Sequence, residues 1–215
     1  VGCFCPPSTS VVSGTDPRTG RPYVNQLFLG HTAGAGAPHQ DAWLTMLHVG
    51  NGGMCFIDSV ELDEVYTPIH VHARRLVPDS EGAGRFRGAP AIAVELGPVD
   101  CDMEAGFVAD GNIHVPQGAR GGLASAPSDQ VRVRADGSRE TLAQSSLVTI
   151  RRGETLLSIA QGGGGYGDPA ARDPARVAHD VREGLVSRSR AMEIYRVAID
   201  AAGEVDAART AQLRA

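Results

Sequence analysis

The sequence predicts a β-rich α+β fold, with antiparallel hairpins first and a helical pair last. Three observations carry this. Short apolar or alternating runs of strand length recur as far as Ala160. Turn residues separate them, among them Asp16-Pro17-Arg18-Thr19-Gly20 and Asp136-Gly137. Helical spacing of apolar residues begins only after Asp173-Pro174, where Val177, Val181 and Leu185 fall on one face. At 215 residues the chain can bury a full core in one or at most two domains. It has no internal repeat and no long linker, so a single unit over 1–215 is expected.

In chain order, residues 1–20 read as loop, with Asp16 to Gly20 as a hairpin tip ahead of a strand at 23–29. Residues 30–42 form a glycine-rich loop, and 43–49 fit a short strand or helix that Asn51-Gly52-Gly53 ends. Residues 69–77 alternate as a half-buried strand. Residues 91–96 and 103–109 read as strands, and 111–127 as loop. A hairpin follows, from 131–134 through Asp136-Gly137 to Arg139 onward. Asp-Gly suits a type I′ turn, whose two central residues both need positive φ. A second hairpin joins 147–150 to a buried strand at 155–160 through Arg151-Arg152-Gly153-Glu154.

Then come four consecutive glycines, Gly162, Gly163, Gly164 and Gly165, between an apolar run and a proline-started helix. Glycine lets a backbone approach other groups closely, at an entropic cost on ordering. Two readings compete: a tight strand-to-helix crossing, or an active-site wall whose amides face an anion or a carbonyl. Beyond it, Asp173 is the expected N-cap, with Pro174 as the first helical residue. Gly184 lies near the helix end. Ser187 is the expected N-cap of a second helix running through Ala198, with Ala191, Ile194, Tyr195 and Ala198 facing inward. The tail, 203–215, reads as a fraying helix or as disordered.

The net charge of -5 argues against a nucleic-acid surface. All 20 basic residues are arginine. The absence of lysine removes a Walker A lysine, a Schiff-base lysine and a lysine base from this chain. No apolar run approaches the roughly 20 residues needed to span a bilayer, so no membrane association is expected. Cys3, Cys5, Cys55 and Cys101 have no zinc spacing and read as reduced or incidental thiols, with a cytoplasmic location as the default. The start, Val1-Gly2-Cys3, is neither an initiator Met nor a signal peptide. It reads as the interior of a longer protein, as a cleaved end, or as a start behind a disordered leader.

Three clusters hold chemistry-bearing side chains. His31, His39 and Asp41 gather in the first glycine-rich loop, as metal ligands or acid/base groups, or as solvated groups of a surface loop. His70 and His72 share one strand face, as metal ligands or as a paired polar face. Arg85 and Arg87 offer forks of donors to a carboxylate or phosphate, or pin their own loop to Asp79 or Glu81.

The run from Gly162 through Tyr166-Gly167-Asp168-Pro169, Arg172-Asp173-Pro174, Asp180-Val181, Gly184, Val186-Ser187, Ala191 and Tyr195 resembles the C-terminal signature of the hydantoinase B / 5-oxoprolinase family. That family includes the large subunits of acetone and acetophenone carboxylases. The resemblance extends back through Asp79 to Gly88, Glu61, Glu64, Tyr66 and Pro68, and the glycine loop ending at Asp41-Ala42. Where the family has an Asn-Thr-Pro element, this chain has Met54 to Ser59, so fine specificity does not transfer.

The resemblance implies the C-terminal part of a B-type subunit, in an ATP-dependent multi-subunit amidohydrolase that opens a cyclic amide such as a hydantoin, 5-oxoproline or a lactam. Its alternatives are a subunit of an ATP-dependent ketone carboxylase and a non-catalytic scaffold of such a complex. In this chemistry ATP phosphorylates a carbonyl oxygen, and water or activated bicarbonate then reacts. ATP and a divalent metal are implied for the complex, both outside this chain. The ATP site lies in a hydantoinase A-like partner, and the metal lies in the N-terminal part of the B-type subunit, present as a separate chain of a hetero-oligomer. The candidate catalytic residues are His39, Asp41, Tyr166 and Asp168. The substrate-loop candidates are Gly34, Gly36 and Gly162, Gly163, Gly164 and Gly165. Arg85, Arg87 and Arg172 are anion-binding candidates, and His31 and His39 are the weak candidates for a metal.

Overall fold

A computed structural model describes residues 10–45 and 57–215. Two antiparallel sheets are stacked over an apolar core. One has four strands in the order β10-β7-β1-β2, formed by β1 (Ser10–Asp16), β2 (Arg21–Leu27), β7 (Met103–Val108) and β10 (Ser145–Ile150). The other has five in the order β5-β6-β11-β8-β9, formed by β5 (Ile69–Leu76), β6 (Ile92–Pro98), β8 (Asp129–Val133), β9 (Arg139–Thr141) and β11 (Thr155–Ile159). A two-residue pair, β3 (Thr32–Ala33) with β4 (Leu44–Thr45), flanks them. The period of two sends Val12, Met103, Ala105, Phe107 and Ile150 inward from the first sheet, against Ile69, Val94, Leu96 and Leu156 of the second.

The first hairpin turns at Asp16 to Gly20, where the amide of Gly20 donates to the Asp16 carbonyl at 2.8 Å. Its second strand begins and ends two residues earlier than the sequence predicts. The Asp136-Gly137 hairpin forms as well, but not as a type I′ turn. Only Gly137 has positive φ, and the amide of Gly137 donates to the Arg134 carbonyl. One glycine in the left-handed region closes this slightly longer loop, so Asp136 need not enter it.

The second expected hairpin is absent. Arg151 to Glu154 is a turn, with Gly153 at positive φ and the Glu154 amide bonded to the Arg151 carbonyl. The strands it joins lie in different sheets: β10 pairs with β7, while β11 pairs with β6 and β8. Turn chemistry is the same whether a chain returns beside itself or crosses to the facing layer, and partners remote in sequence decide which occurs.

A short helix unread in the sequence, α1 (Val60–Tyr66), is capped by Ser59, whose Oγ accepts from the Leu62 amide. Helix α2 (Pro174–Arg182) starts as expected, with Asp173 accepting from the Ala175 amide. Gly184 follows at positive φ. Helix α3 (Arg188–Glu193) starts at its expected cap, Ser187, but stops short of Ala198. Arg196 takes a left-handed φ there, and the Val197 amide returns to the Ala191 carbonyl. This bend keeps Tyr195 and Val197 fully buried. The tail is not disordered. Helix α4 (Ala207–Arg214), capped by Asp206, joins the expected pair as a third helix, and an Nη of Arg214 donates to the Arg172 carbonyl at 2.7 Å. Of the 43–49 segment only its first residues, in β4, lie among those described. Cys3, Cys5 and Cys55 fall outside them, and Cys101 is a free thiol. No helix among the described residues is long and apolar enough to cross a membrane.

Candidate functional site

The four glycines form a thread that three loops wrap. The amides of Gly162, Gly163 and Gly165 donate to the carbonyls of Ala126, Ala89 and Leu123. In return, the amides of Gly82, Gly36 and Ala119 donate to the carbonyls of Gly163, Gly164 and Gly165. The contact is backbone against backbone. A Cβ on Gly163 would lie 1.7 Å from the Gly34 oxygen, and one on Gly164 would lie 2.1 Å from the Gln117 oxygen. The loops answer in kind, since a Cβ on Gly88 would meet the Gly163 oxygen at 1.8 Å. Packing at this range requires the glycines. Three of the four amides are paired with carbonyls inside the protein, so a wall of free amides is not what the thread presents.

The thread leads into a buried ion network. Arg172, 1% exposed, donates from both Nη atoms to Asp41 at 2.6 and 2.8 Å, and from Nη2 to Asp180 at 2.8 Å. Arg87 donates to the other Asp180 oxygen at 3.0 Å, and its amide bonds to Asp41 at 2.9 Å. Asp41, Arg87 and Arg172, which the sequence singles out separately, therefore meet. Burial pushes the Asp41 carboxyl up, but the bond and charge of Arg172, with Arg87 behind, outweigh it and hold the pKa below the usual carboxylate value. The terminal nitrogens of Arg172 are occupied by the chain's own carboxylates, which leaves it a structural clamp and no open anion fork. Asp180, fully enclosed, is the partner that sequence reasoning named only as part of a signature.

At the rim, Arg85 and Arg176 set their guanidinium carbons 5.5 and 5.9 Å from the centre of the Phe86 ring. Arg176 also approaches Asp41 at 3.4 Å. Tyr166 is half-buried and bridges by its backbone to Phe86 and Ala119. His39 is exposed on a turn closed by bonds between Ala37 and Gln40. Gly34 and Gly36 border the same loop and press on Trp43 and Phe86 backbone. Asp168 caps the 3-10 turn Pro169–Ala171, accepting from the Ala170 amide. Phe86 and Arg176 carry no sequence signal beyond their neighbours.

His31 lies apart. It is buried, it donates to the Pro90 carbonyl, and its Nε2 has no partner. Burial first, and then the charge of Arg74, depress its pKa to about 4, so it is a neutral core histidine. His70 and His72 pack edge to face, and His70 Nδ1 lies 2.9 Å from Glu64. The described residues do not fit a metal ion, since no three of His, Cys, Asp and Glu converge among them. The amides of Gly162, Gly163 and Gly165 are engaged within the protein and do not form a phosphate cradle.

The chain is 34% identical over 210 residues to caprolactamase subunit beta of Pseudomonas jessenii, a match that covers 95% of this chain and 36% of that protein. It superposes on the ATP-dependent caprolactamase structure from the same organism with a TM-score of 0.79 and 27% identity, over 96% of this chain and 37% of the other. Nucleotide-free acetone carboxylase gives 0.77 and 20% identity, over 99% and 33%, a likeness of fold alone. The chain thus spans about a third of the length of the relatives it matches. The Hydantoinase B/oxoprolinase family matches residues 3–169, so the chain is a member of that family.

Proposed function

We propose that the chain forms the C-terminal part of a B-type subunit in a cytoplasmic, ATP-dependent, multi-subunit amidohydrolase that opens a cyclic amide, with a lactam as the first substrate class to try. The observation that carries this reading is the identity to caprolactamase subunit beta along nearly the whole chain. In this reading ATP is taken by a hydantoinase A-like partner, and a divalent metal belongs to the remainder of the complex. When bound to the complex, ATP supplies activation of the ring carbonyl.

The share of this chain is positional. The Arg172 clamp ties Asp41, at the end of the loop from Gly34, to Asp180 of α2, and Tyr166 pairs by its backbone with Phe86, on which Arg85 and Arg176 stack. Arg85 and Arg176 are suited to a phosphate or carboxylate presented there. Asp168, as a cap, orients the rim rather than touching substrate. The ketone carboxylase reading has the fold of acetone carboxylase behind it and no more.

The assembled protein, isolated from its source, is incubated with ATP and with a lactam, a hydantoin or 5-oxoproline, and ADP and ring-opened product are measured. ADP release that requires both the ring substrate and ATP, with matching ring-opened product, is expected. Turnover of a ketone that requires bicarbonate would transfer the chain to the carboxylases. Assembly without any turnover would favour the scaffold role. Arg85→Ala and Tyr166→Phe in the assembled enzyme are expected to lower turnover and leave assembly unchanged. Gly164→Val tests packing alone, since its Cβ would run into the Gln117 carbonyl.

A further inference from the structure

Among the described residues nothing covers the outer face of the four-stranded sheet around Val11, Val108 and Leu147. Val11, Gly106 and Leu147 stand side by side across β1, β7 and β10. Val11 is 42% exposed, Val108 65% and Leu147 74%. A groove of about 590 Å³ runs over them. Gly106 forms its floor: a Cβ there would already meet the Leu147 side chain at 3.5 Å. Exposed apolar side chains scattered singly need no explanation, but a contiguous groove of them on a sheet face marks a contact surface.

The groove continues at Leu147 into a second cleft, of about 450 Å³, along β10, the edge strand of this sheet. That cleft is lined by Arg132, Arg134 and Arg151 against Glu154. Arg132 and Arg134 share Glu140, at 3.2 and 2.6 Å. The Nε of Arg132 is buried without a hydrogen-bond partner, with the Glu154 oxygen at 4.0 Å. Among the described residues Arg151 has no ion pair. Glu104, which accepts from the Thr149 hydroxyl at the edge of the cleft, brings the carboxylates around it to three, yet Arg151 keeps no ion pair and the Arg132 Nε no hydrogen bond, so the cleft offers donors to an incoming carboxylate beside an apolar groove. The surface complements a segment whose apolar side chains are followed by carboxylates.

We propose that this face docks the part of a B-type subunit that the chain does not span, through such an apolar and acidic segment. The inference rests on the proposed function. Its second support is the relatives' length: this chain matches 36% of caprolactamase subunit beta, so most of that subunit lies beyond the part matched here. The docked segment lays apolar side chains over Val11, Gly106 and Leu147 and turns its carboxylates to Arg132, Arg134 and Arg151. Whether it belongs to the same polypeptide or to a separate chain, the contact is the same.

The test uses the assembly as purified from its source, with benzoylphenylalanine in place of Leu147, irradiated and analysed by mass spectrometry. Cross-links to the remaining B-type sequence are the expected result. Cross-links to an A-type chain, or to a second copy of this chain, would overturn the proposal by giving the face a different occupant. An assembly that forms without any cross-link at this position would overturn the docking face and leave the proposed function standing. A protein that contains no further B-type sequence would overturn both. In parallel, Leu147→Asp and Arg151→Glu are expected to weaken retention of the B-type remainder by roughly tenfold or more. Both side chains are exposed, so thermal unfolding of the chain itself should not move. Retention equal to wild type in both variants would sink the proposal.

Discussion

The sandwich and the glycine thread are held together by opposite means. Between the sheets, side chains such as Leu27, Met103, Ile150 and Leu156 fill the space, and the backbones keep their distance. Around residues 162–167 there are almost no side chains to fill anything. Four backbone segments touch directly, fixed by hydrogen bonds between amides and carbonyls, and the charged clamps of Arg172 and Glu81 tie them to the helices. Apolar packing tolerates changes of volume because neighbours relax. Backbone contact tolerates none, because a carbonyl cannot step aside without breaking the bonds that hold it. The half with the fewest side chains is therefore the more exacting, and it is the half that shapes the candidate rim.

Gly163→Ala should break this comparison most sharply. A Cβ placed 1.7 Å from the Gly34 oxygen has nowhere to go, so the expected outcome is loss of the folded state, read as lost soluble yield and lost cooperative unfolding. Gly137→Ala is the matched control. That glycine, unlike Gly163, has positive φ, but it has open space around it, and the change should cost only about 1–2 kcal/mol. Equal effects of the two substitutions would refute the backbone-contact account.

Arg172→Leu comes next. It leaves Asp180 and Asp41 without their shared cation in a buried setting, a loss of about 3–5 kcal/mol in chemical denaturation. Leu27→Ala, in the sandwich core, should cost about 2–5 kcal/mol yet leave a folded protein with the same spectrum. If that variant fails to fold while Arg172→Leu unfolds normally, the ranking of the two regions is wrong.

The smallest expected effect concerns pH. The pKa of His31 falls from an ordinary 6.5 to about 4 on folding. Between these values the unfolded chain binds a proton that the folded chain does not, so this group lowers stability as pH falls from about 6.5 toward 4. His31→Asn can keep a donor for the Pro90 carbonyl and removes the titration. Its unfolding free energy should fall less than that of wild type over this window. Parallel pH profiles would show that His31 is not buried neutral.

Much of the fold was legible because its signals are local. Alternation marked the strands, and Asp173 and Ser187 capped the helices they announced. The candidate site was legible only as separate pieces. Asp41, Arg87 and Arg172 could be listed, but their meeting could not, since Arg172 and Asp41 are 131 residues apart. The Glu81 clamp on Arg190 and Tyr195 was hidden for the same reason: it joins a loop to a helix more than a hundred residues on.

What the sequence determined by itself was therefore the inventory: strand-length runs, turn residues, helix caps, a lysine-free composition and a four-glycine signature. Each follows from interactions within a few residues of chain. Tertiary structure decided the rest. It sent β10 and β11 into different sheets, paired three of the four glycine amides with carbonyls from two loops, and folded the tail into a docked helix. The physical reason is that these choices are set by partners distant in sequence, and a turn, a glycine or an arginine carries no local mark of the partner it will meet.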